Sequence, residues 1–116
     1  LGEKLKKHNA QAWLVNTGWS GGPYGIGNRI DLPVTRRMLT AILNYELEKT
    51  QFTPDKKFKI LIPESVPEIE STILNPRNTW EDKKAYDKKA KELIKLFKNN
   101  FKKYESLGNY AKAGPN

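Results

Sequence analysis

The sequence contains no cysteine, so the chain can form neither a disulfide nor a metal site built from thiolates. It has a single histidine, His8, near the end of a predicted helix, a position more typical of a solvated terminus than of a catalytic base. No apolar run approaches the roughly 18 residues of a membrane span, and no secretory signal is visible. The lack of cysteine fits a reducing compartment, and the hydrophobic content of 37% predicts a folded, soluble chain.

Two common phosphate-binding signatures are also missing. The glycines between Gly22 and Gly27 are spaced GxxGxG, whereas the dinucleotide fingerprint requires GxGxxG. The tripeptide Gly27-Asn28-Arg29 lacks the lysine and the hydroxyl residue of a Walker loop. The glycine-rich stretch could therefore be either a ligand-contacting loop or a simple turn, and the residues alone leave both readings open.

The composition is that of one small basic domain. The 116 residues are sufficient for a single core, and 37% of them are hydrophobic. The formal net charge of +8 favours anionic partners through its long-range field. Charge alone does not identify those partners.

Periodicity predicts a mixed α/β chain. A helix over residues 1–8 closes at Asn9 in a left-handed conformation, and a buried strand follows over residues 10–16. A second helix is predicted with Thr35 as its N-cap, and residues 45–57 are polar, with Pro54-Asp55 marking a loop. A strand is expected over residues 58–62, and the longest helix begins with Thr79 as its N-cap.

One face of the longest predicted helix is rich in lysine. A basic amphipathic helix can bind nucleic acid or an acidic membrane surface, so a non-catalytic nucleic-acid-binding module is the alternative function. Acids such as Glu92 interrupt the face, and a solvated surface is the simpler interpretation. The lysines are Lys83, Lys84, Lys88, Lys91, Lys95, Lys98, Lys102 and Lys103.

The chain carries a series of short motifs in a fixed order: Leu14–Trp19, Gly21–Tyr24, Gly27–Ile30, Thr35–Arg36, Ile62–Pro63, Leu74–Trp80, Leu96–Phe97, Asn100–Phe101, Tyr104 and Ala113–Pro115. Together these motifs resemble the C-terminal part of ATP-dependent phosphoenolpyruvate carboxykinases. The resemblance covers essentially the whole chain, and the motifs occur at compatible spacings. One position departs from the family: a lysine usually precedes the arginine that matches Arg29, and here that place is Asn28.

The resemblance implies that residues 1–116 are a single partial domain, the C-terminal segment of the nucleotide-binding lobe of a longer cytoplasmic enzyme. It implies a carboxy-lyase of gluconeogenesis that converts oxaloacetate and ATP to phosphoenolpyruvate, carbon dioxide and ADP. The P-loop and the ligands of the divalent metals, magnesium or manganese, would lie upstream, so no catalytic or metal-binding residue is expected here. We expect the segment alone to be inactive. The implied partners are ATP or ADP, oxaloacetate or phosphoenolpyruvate, and the upstream chain, with neither nucleic acid nor membrane.

Three residues are expected to contribute to ATP binding. In the family, the arginine and isoleucine that match Arg29 and Ile30, and the threonine that matches Thr35, lie around the ATP site. Arg29 would place its planar cation against the nucleotide, the Ile30 backbone would hydrogen-bond the adenine edge, and the Thr35 hydroxyl would add another bond. The expected role of this segment is therefore to contact the adenine side of ATP.

Overall fold

The computed structural model describes residues 1–116 and shows short helices combined with small sheets. The α-helices are α1 (Gly2–His8), α2 (Leu32–Leu43), α3 (Pro76–Thr79) and α4 (Lys83–Phe101). The strands are β1 (Trp19–Ser20), β2 (Asn28–Arg29), β3 (Phe52–Pro54) and β4 (Leu61–Pro63). Three 3-10 helices span Ser71–Ile73, Lys102–Leu107 and Tyr110–Ala113. The expected mixed α/β class is confirmed.

The strands form two separate antiparallel hairpins instead of one continuous sheet. In the first, β1 pairs with β2, and Trp19 lies opposite Arg29. In the second, β3 pairs with β4, and Phe52 lies opposite Pro63. Because a two-stranded hairpin is only marginally stable in water, each one depends on the elements packed against it.

The core is small, with seven of the 116 residues buried. Its main cluster consists of Ala41 from α2, Leu47 and Val66. Phe52 of β3 packs against this cluster, so the second hairpin covers the core directly. Two further buried residues lie on α4.

The surface is large for a chain of this mass. Its accessible area is 9605 Å², whereas a compact monomer of the same mass exposes about 6,500 Å². Many large apolar side chains are exposed, and this is typical of a segment that packs against further protein. The most exposed of these side chains include Leu14, Tyr24, Ile26, Leu43, Leu96 and Leu107.

The predicted strand over residues 10–16 does not form within this chain. These residues have no regular secondary structure, and Leu14 is 86% exposed. The strand was predicted from a short apolar run followed by Thr-Gly, but within this chain no neighbouring strand pairs with that run. The preceding helix is as predicted, since Asn9 closes α1 in the left-handed conformation at φ 48°.

The prediction that Thr35 caps the second helix is wrong. The N-cap of α2 is Asp31, and Pro33 lies in the first turn, where its fixed φ and missing N–H are tolerated. Thr35 therefore lies inside the helix, and its backbone N–H donates to the Asp31 carbonyl at 3.2 Å. Proline favoured an earlier start than the threonine signal indicated.

Two further boundaries differ from prediction. β4 begins at Leu61 instead of at residue 58, and the strand β3 that pairs with it was not predicted and ends at Pro54, where a loop was expected. The longest helix begins at Lys83 because Asp82, not Thr79, is its N-cap, and the Asp82 carboxylate accepts from two backbone N–H groups. Thr79 instead ends α3. None of the helices is both long and apolar enough to cross a lipid bilayer.

Candidate nucleotide site

The glycine-rich stretch is the turn of the first hairpin. A Cβ at Gly27 would lie 2.7 Å from the Ser20 carbonyl oxygen and closer still to that of Gly22, so only glycine allows the two sides of this turn to approach. The turn is closed by the Gly27 N–H, which donates to the Pro23 carbonyl at 2.9 Å. These glycines are accounted for by the turn itself.

The base of this hairpin is held by one side chain. The Asn16 amide donates to the Trp19 carbonyl at 3.1 Å and accepts from the Gly18 N–H at 2.9 Å. The Ile30 N–H then donates to the Gly18 carbonyl at 2.8 Å. The backbone donor of Ile30 is thus already used, while its carbonyl accepts no bond within the chain.

Arg29 is the last residue of β2 and immediately precedes Ile30. It is exposed, and its guanidinium forms no ion pair or hydrogen bond within the chain. Asn28, at the position where the resemblance implies a lysine, is its exposed neighbour on β2. The structure therefore presents a single free guanidinium, not a pair of cations, at this edge.

Thr35 lies six positions further along, in α2, and is 7% exposed. Its hydroxyl makes no hydrogen bond within the chain, yet no completely enclosed polar side-chain atom lacks a partner. The hydroxyl therefore keeps some access to solvent. Arg29, Ile30 and Thr35 consequently all lie between the end of the first hairpin and the early part of α2, and each has a polar group without a partner.

Two other arginines, Arg37 and Arg77, are neutralised locally. Arg37 pairs with Glu46 and Glu68, each at 2.5 Å, and its hydrogen bond lowers the pKa of Glu46. Arg77 forms a two-pronged contact with Asp87 at 3.1 Å on both oxygens. Such paired guanidinium groups stabilise the chain, whereas Arg29 remains available to an external anion or aromatic ring.

Asp87 is the most strongly perturbed carboxylate. The hydrogen bond from Arg77, followed by that from Lys57, holds its pKa well below the usual range. Lys57 belongs to the turn between β3 and β4, so this cluster ties that hairpin to α4. The cluster was not predicted from the sequence, because its three members are separated by 10 to 30 positions.

Among the hollows on the surface are two whose lining residues do not include Arg29, Ile30 or Thr35. One of about 420 Å³ lies between the tip of the first hairpin and the start of α4, and includes Ile26 and Trp80. The other, of about 310 Å³, lies beside Val34 and Arg37. The first was missed at the sequence level because the contact that forms it, Gly21 N–H to the Thr79 hydroxyl at 3.1 Å, joins residues 58 positions apart.

No group of three or more histidine, aspartate or glutamate side chains is arranged to hold a metal ion. The acids that the structure brings close to cations are instead bound in ion pairs, as for Asp87 and Glu46. The site described here therefore consists of hydrogen-bonding groups and one guanidinium.

Comparison with known proteins places the chain in a family. The family model described as phosphoenolpyruvate carboxykinase matches residues 1–72. The chain belongs to the phosphoenolpyruvate carboxykinase family. The match includes the first hairpin, Arg29, Ile30 and Thr35.

Individual relatives are named phosphoenolpyruvate carboxykinase (ATP). The one from Caldanaerobacter subterraneus subsp. tengcongensis is 55% identical over 116 residues, which are 99% of this chain and 22% of that protein. One from Moorella thermoacetica is 51% identical over 107 residues, and one from Thermus thermophilus is 49% identical over 117. The chain thus spans about a fifth of the length of the curated relatives it matches.

Proposed function

We propose that this chain is the adenine-side part of an ATP-dependent phosphoenolpyruvate carboxykinase. The whole cytoplasmic enzyme would convert oxaloacetate and ATP to phosphoenolpyruvate, carbon dioxide and ADP, with ATP supplying the phosphoryl group. Family membership and the names of the relatives support this reaction. The divalent metals, magnesium or manganese, and the groups that bind oxaloacetate would be held by residues outside this segment.

The main observation behind the assignment is that Arg29, Ile30 and Thr35 each have an unused polar group. These residues are close in the chain and extend from the last residue of β2 to the early part of α2. Planar guanidinium groups stack on aromatic rings, so Arg29 fits the face of a purine base. Such a contact needs a guanidinium without an acidic partner.

The structure refines the expected role of Ile30. Because its N–H is bonded to the Gly18 carbonyl, only its own carbonyl is left among the Ile30 backbone groups to hydrogen-bond the base. A carbonyl accepts hydrogen bonds, and the amino group at the adenine edge donates them. The Thr35 hydroxyl can donate or accept and would add a second polar contact. These groups therefore fit an adenine nucleotide better than a guanine one, whose corresponding edge bears a carbonyl.

The test uses a full-length enzyme in which this chain replaces the matching segment of the Caldanaerobacter relative. Arg29→Ala should raise the KM for ATP about tenfold, since a charged contact contributes on the order of 1.5 kcal/mol. The KM for oxaloacetate should change little. Arg36→Ala is the matched control, because Arg36 is also exposed and has no ion pair within the chain. Equal KM values for ATP in the wild type and the Arg29 variant would refute the assignment.

The alternative of a nucleic-acid-binding module makes the opposite prediction for the isolated chain. Titration with a random single-stranded DNA at increasing salt would show tight and steeply salt-dependent binding if the lysine face of α4 were the functional surface. We expect only weak binding without saturation. Two lysines of this face are already engaged locally, since the Lys83 ammonium donates to the Trp80 carbonyl at 2.6 Å and the Lys98 ammonium donates to the Asn116 carbonyl at 3.3 Å.

A further inference from the structure

Residues 10–16 form the segment whose sequence and structure disagree most. Its pattern is that of a short buried strand, yet in the chain the backbone of residues 11–17 makes no hydrogen bond at all. The two bonds at its end involve the side chain of Asn16, not its backbone. A whole row of main-chain donors and acceptors is therefore open to water.

One face of this segment is already anchored. The Trp13 ring packs against Phe52 of β3, with ring centroids 5.9 Å apart. The next side chain, Leu14, is not packed in this way and is 86% exposed. Val15 is half-buried. The segment is thus held at a defined place on the domain while its backbone and one apolar side chain lack partners.

We propose that Ala10–Asn16 is a β-strand that forms only on pairing with a sheet edge in the remaining part of a full-length phosphoenolpyruvate carboxykinase. The unbonded backbone groups can pair with the edge of a sheet, and β1, which begins at Trp19, fixes the direction in which the segment runs. The named relatives are about five times as long as this chain, so a larger protein surface exists to supply that edge. The excess exposed area of the chain, on the order of 3,000 Å², is of the size of a permanent interface.

A second copy of this chain is a weaker candidate for the partner. Two copies would pair one such strand each and form an isolated two-stranded ribbon, which is marginally stable in water. The edge strand of a larger sheet is itself paired with further strands, and a sheet of three or more strands is more stable than a two-stranded ribbon. The proposal concerns packing only, and it is independent of whether Arg29 contacts a nucleotide.

Hydrogen–deuterium exchange provides the first test. The amides of residues 12–16 should exchange without protection in the isolated chain, and at least about 100-fold more slowly in the full-length chimera described above. Equal exchange in both proteins would overturn the proposal. Light scattering identifies the rival partner: protection of these amides in a dimer of the isolated chain would overturn it in favour of self-pairing.

Proline scanning provides the second test. Neighbouring N–H groups of a strand point to opposite sides, so Leu14→Pro or Val15→Pro must remove a donor that faces the partner strand. Leu14→Thr and Val15→Thr are the matched controls, because threonine keeps the N–H and suits a strand.

In the isolated chain, both proline variants should melt as their threonine controls do, since no backbone bond is lost there. In the chimera, at least one proline variant should lose amide protection about tenfold or more relative to its threonine control. If both proline chimeras retain full protection, the segment does not pair as a strand. The exchange result is interpretable even if a proline chimera folds poorly, because it is measured first on the unsubstituted proteins.

Discussion

The two hairpins of this chain have the same topology but differ in what holds them. The β3–β4 hairpin is bound into the chain at several points: Phe52 lies on the core, and Lys57 in its turn pairs with Asp87. Across its strands, Thr53 donates to Glu64 at 2.6 Å. Nearly every polar side chain in this hairpin has a hydrogen-bond or ion-pair partner within the 116 residues.

The β1–β2 hairpin has few such partners. Its tip contacts the rest of the chain through the Gly21 N–H and the Thr79 hydroxyl, while Tyr24 and Ile26 remain largely exposed. Its last residue, Arg29, has no acidic neighbour to neutralise it. The comparison separates a hairpin that stabilises the domain from one whose polar and apolar groups are free to contact something else.

The largest expected effect comes from the core beneath the β3–β4 hairpin. Leu47→Ala should destabilise the chain by about 2–4 kcal/mol, since it opens a cavity among very few buried residues. Urea denaturation followed by tryptophan fluorescence measures this loss. Leu43→Ala, at a leucine that is 75% exposed, should change stability by less than about 0.5 kcal/mol. Equal losses for the two variants would show that the cluster is not the core.

An intermediate effect is expected from the turn of the β1–β2 hairpin. Gly27→Ala forces a Cβ against the Ser20 and Gly22 carbonyls and should open the hairpin locally, at a cost of about 1–3 kcal/mol. Faster exchange of the Ile30 amide, which reports the bond to Gly18, measures the opening. Gly18→Ala is the control, because a Cβ there meets only an ordinary contact at 3.5 Å. An unchanged Ile30 amide in the Gly27 variant would contradict the close packing seen here.

The smallest effect is expected from removing the charge of Asp87, the carboxylate that pairs with Lys57 and Arg77. The pKa of Asp87 is depressed in the folded chain, first by Arg77 and then by Lys57. Its stabilising contribution is therefore present above the unfolded pKa of about 4 and is lost as the pH falls toward the lower folded pKa. Asp87→Asn should flatten the fall in melting temperature below about pH 4, whereas Glu81→Gln, at an exposed acid without an ion pair, should not.

Much of the local structure could be predicted from single residues. The left-handed closure at Asn9 and the apolar character of residues 10–16 follow from short-range signals, and so does a helix near residue 35. The start of α2 was predicted too late, because Pro33 favours an earlier start than Thr35 does. The start of α4 was predicted too early, because Asp82 caps the helix in place of Thr79. The strand β3 was missed because its partner β4 lies several positions away.

The candidate site was predicted in part. Arg29, Ile30 and Thr35 came from resemblance to a family, to which the chain belongs. Their role in binding ATP remains a prediction. The sequence could not show that the Ile30 N–H is already used by the Gly18 carbonyl, since that bond depends on how the hairpin closes.

The sequence by itself determined the family, the mixed class of the fold, the basic charge and the absence of thiol chemistry, because these depend on residue identity and local spacing. Only the tertiary structure decided which arginines are neutralised and which hairpin covers the core. It also showed that the strand-like segment before β1 finds no partner within the chain. Pairing and burial join residues that are distant along the chain, and the backbone path alone brings them together.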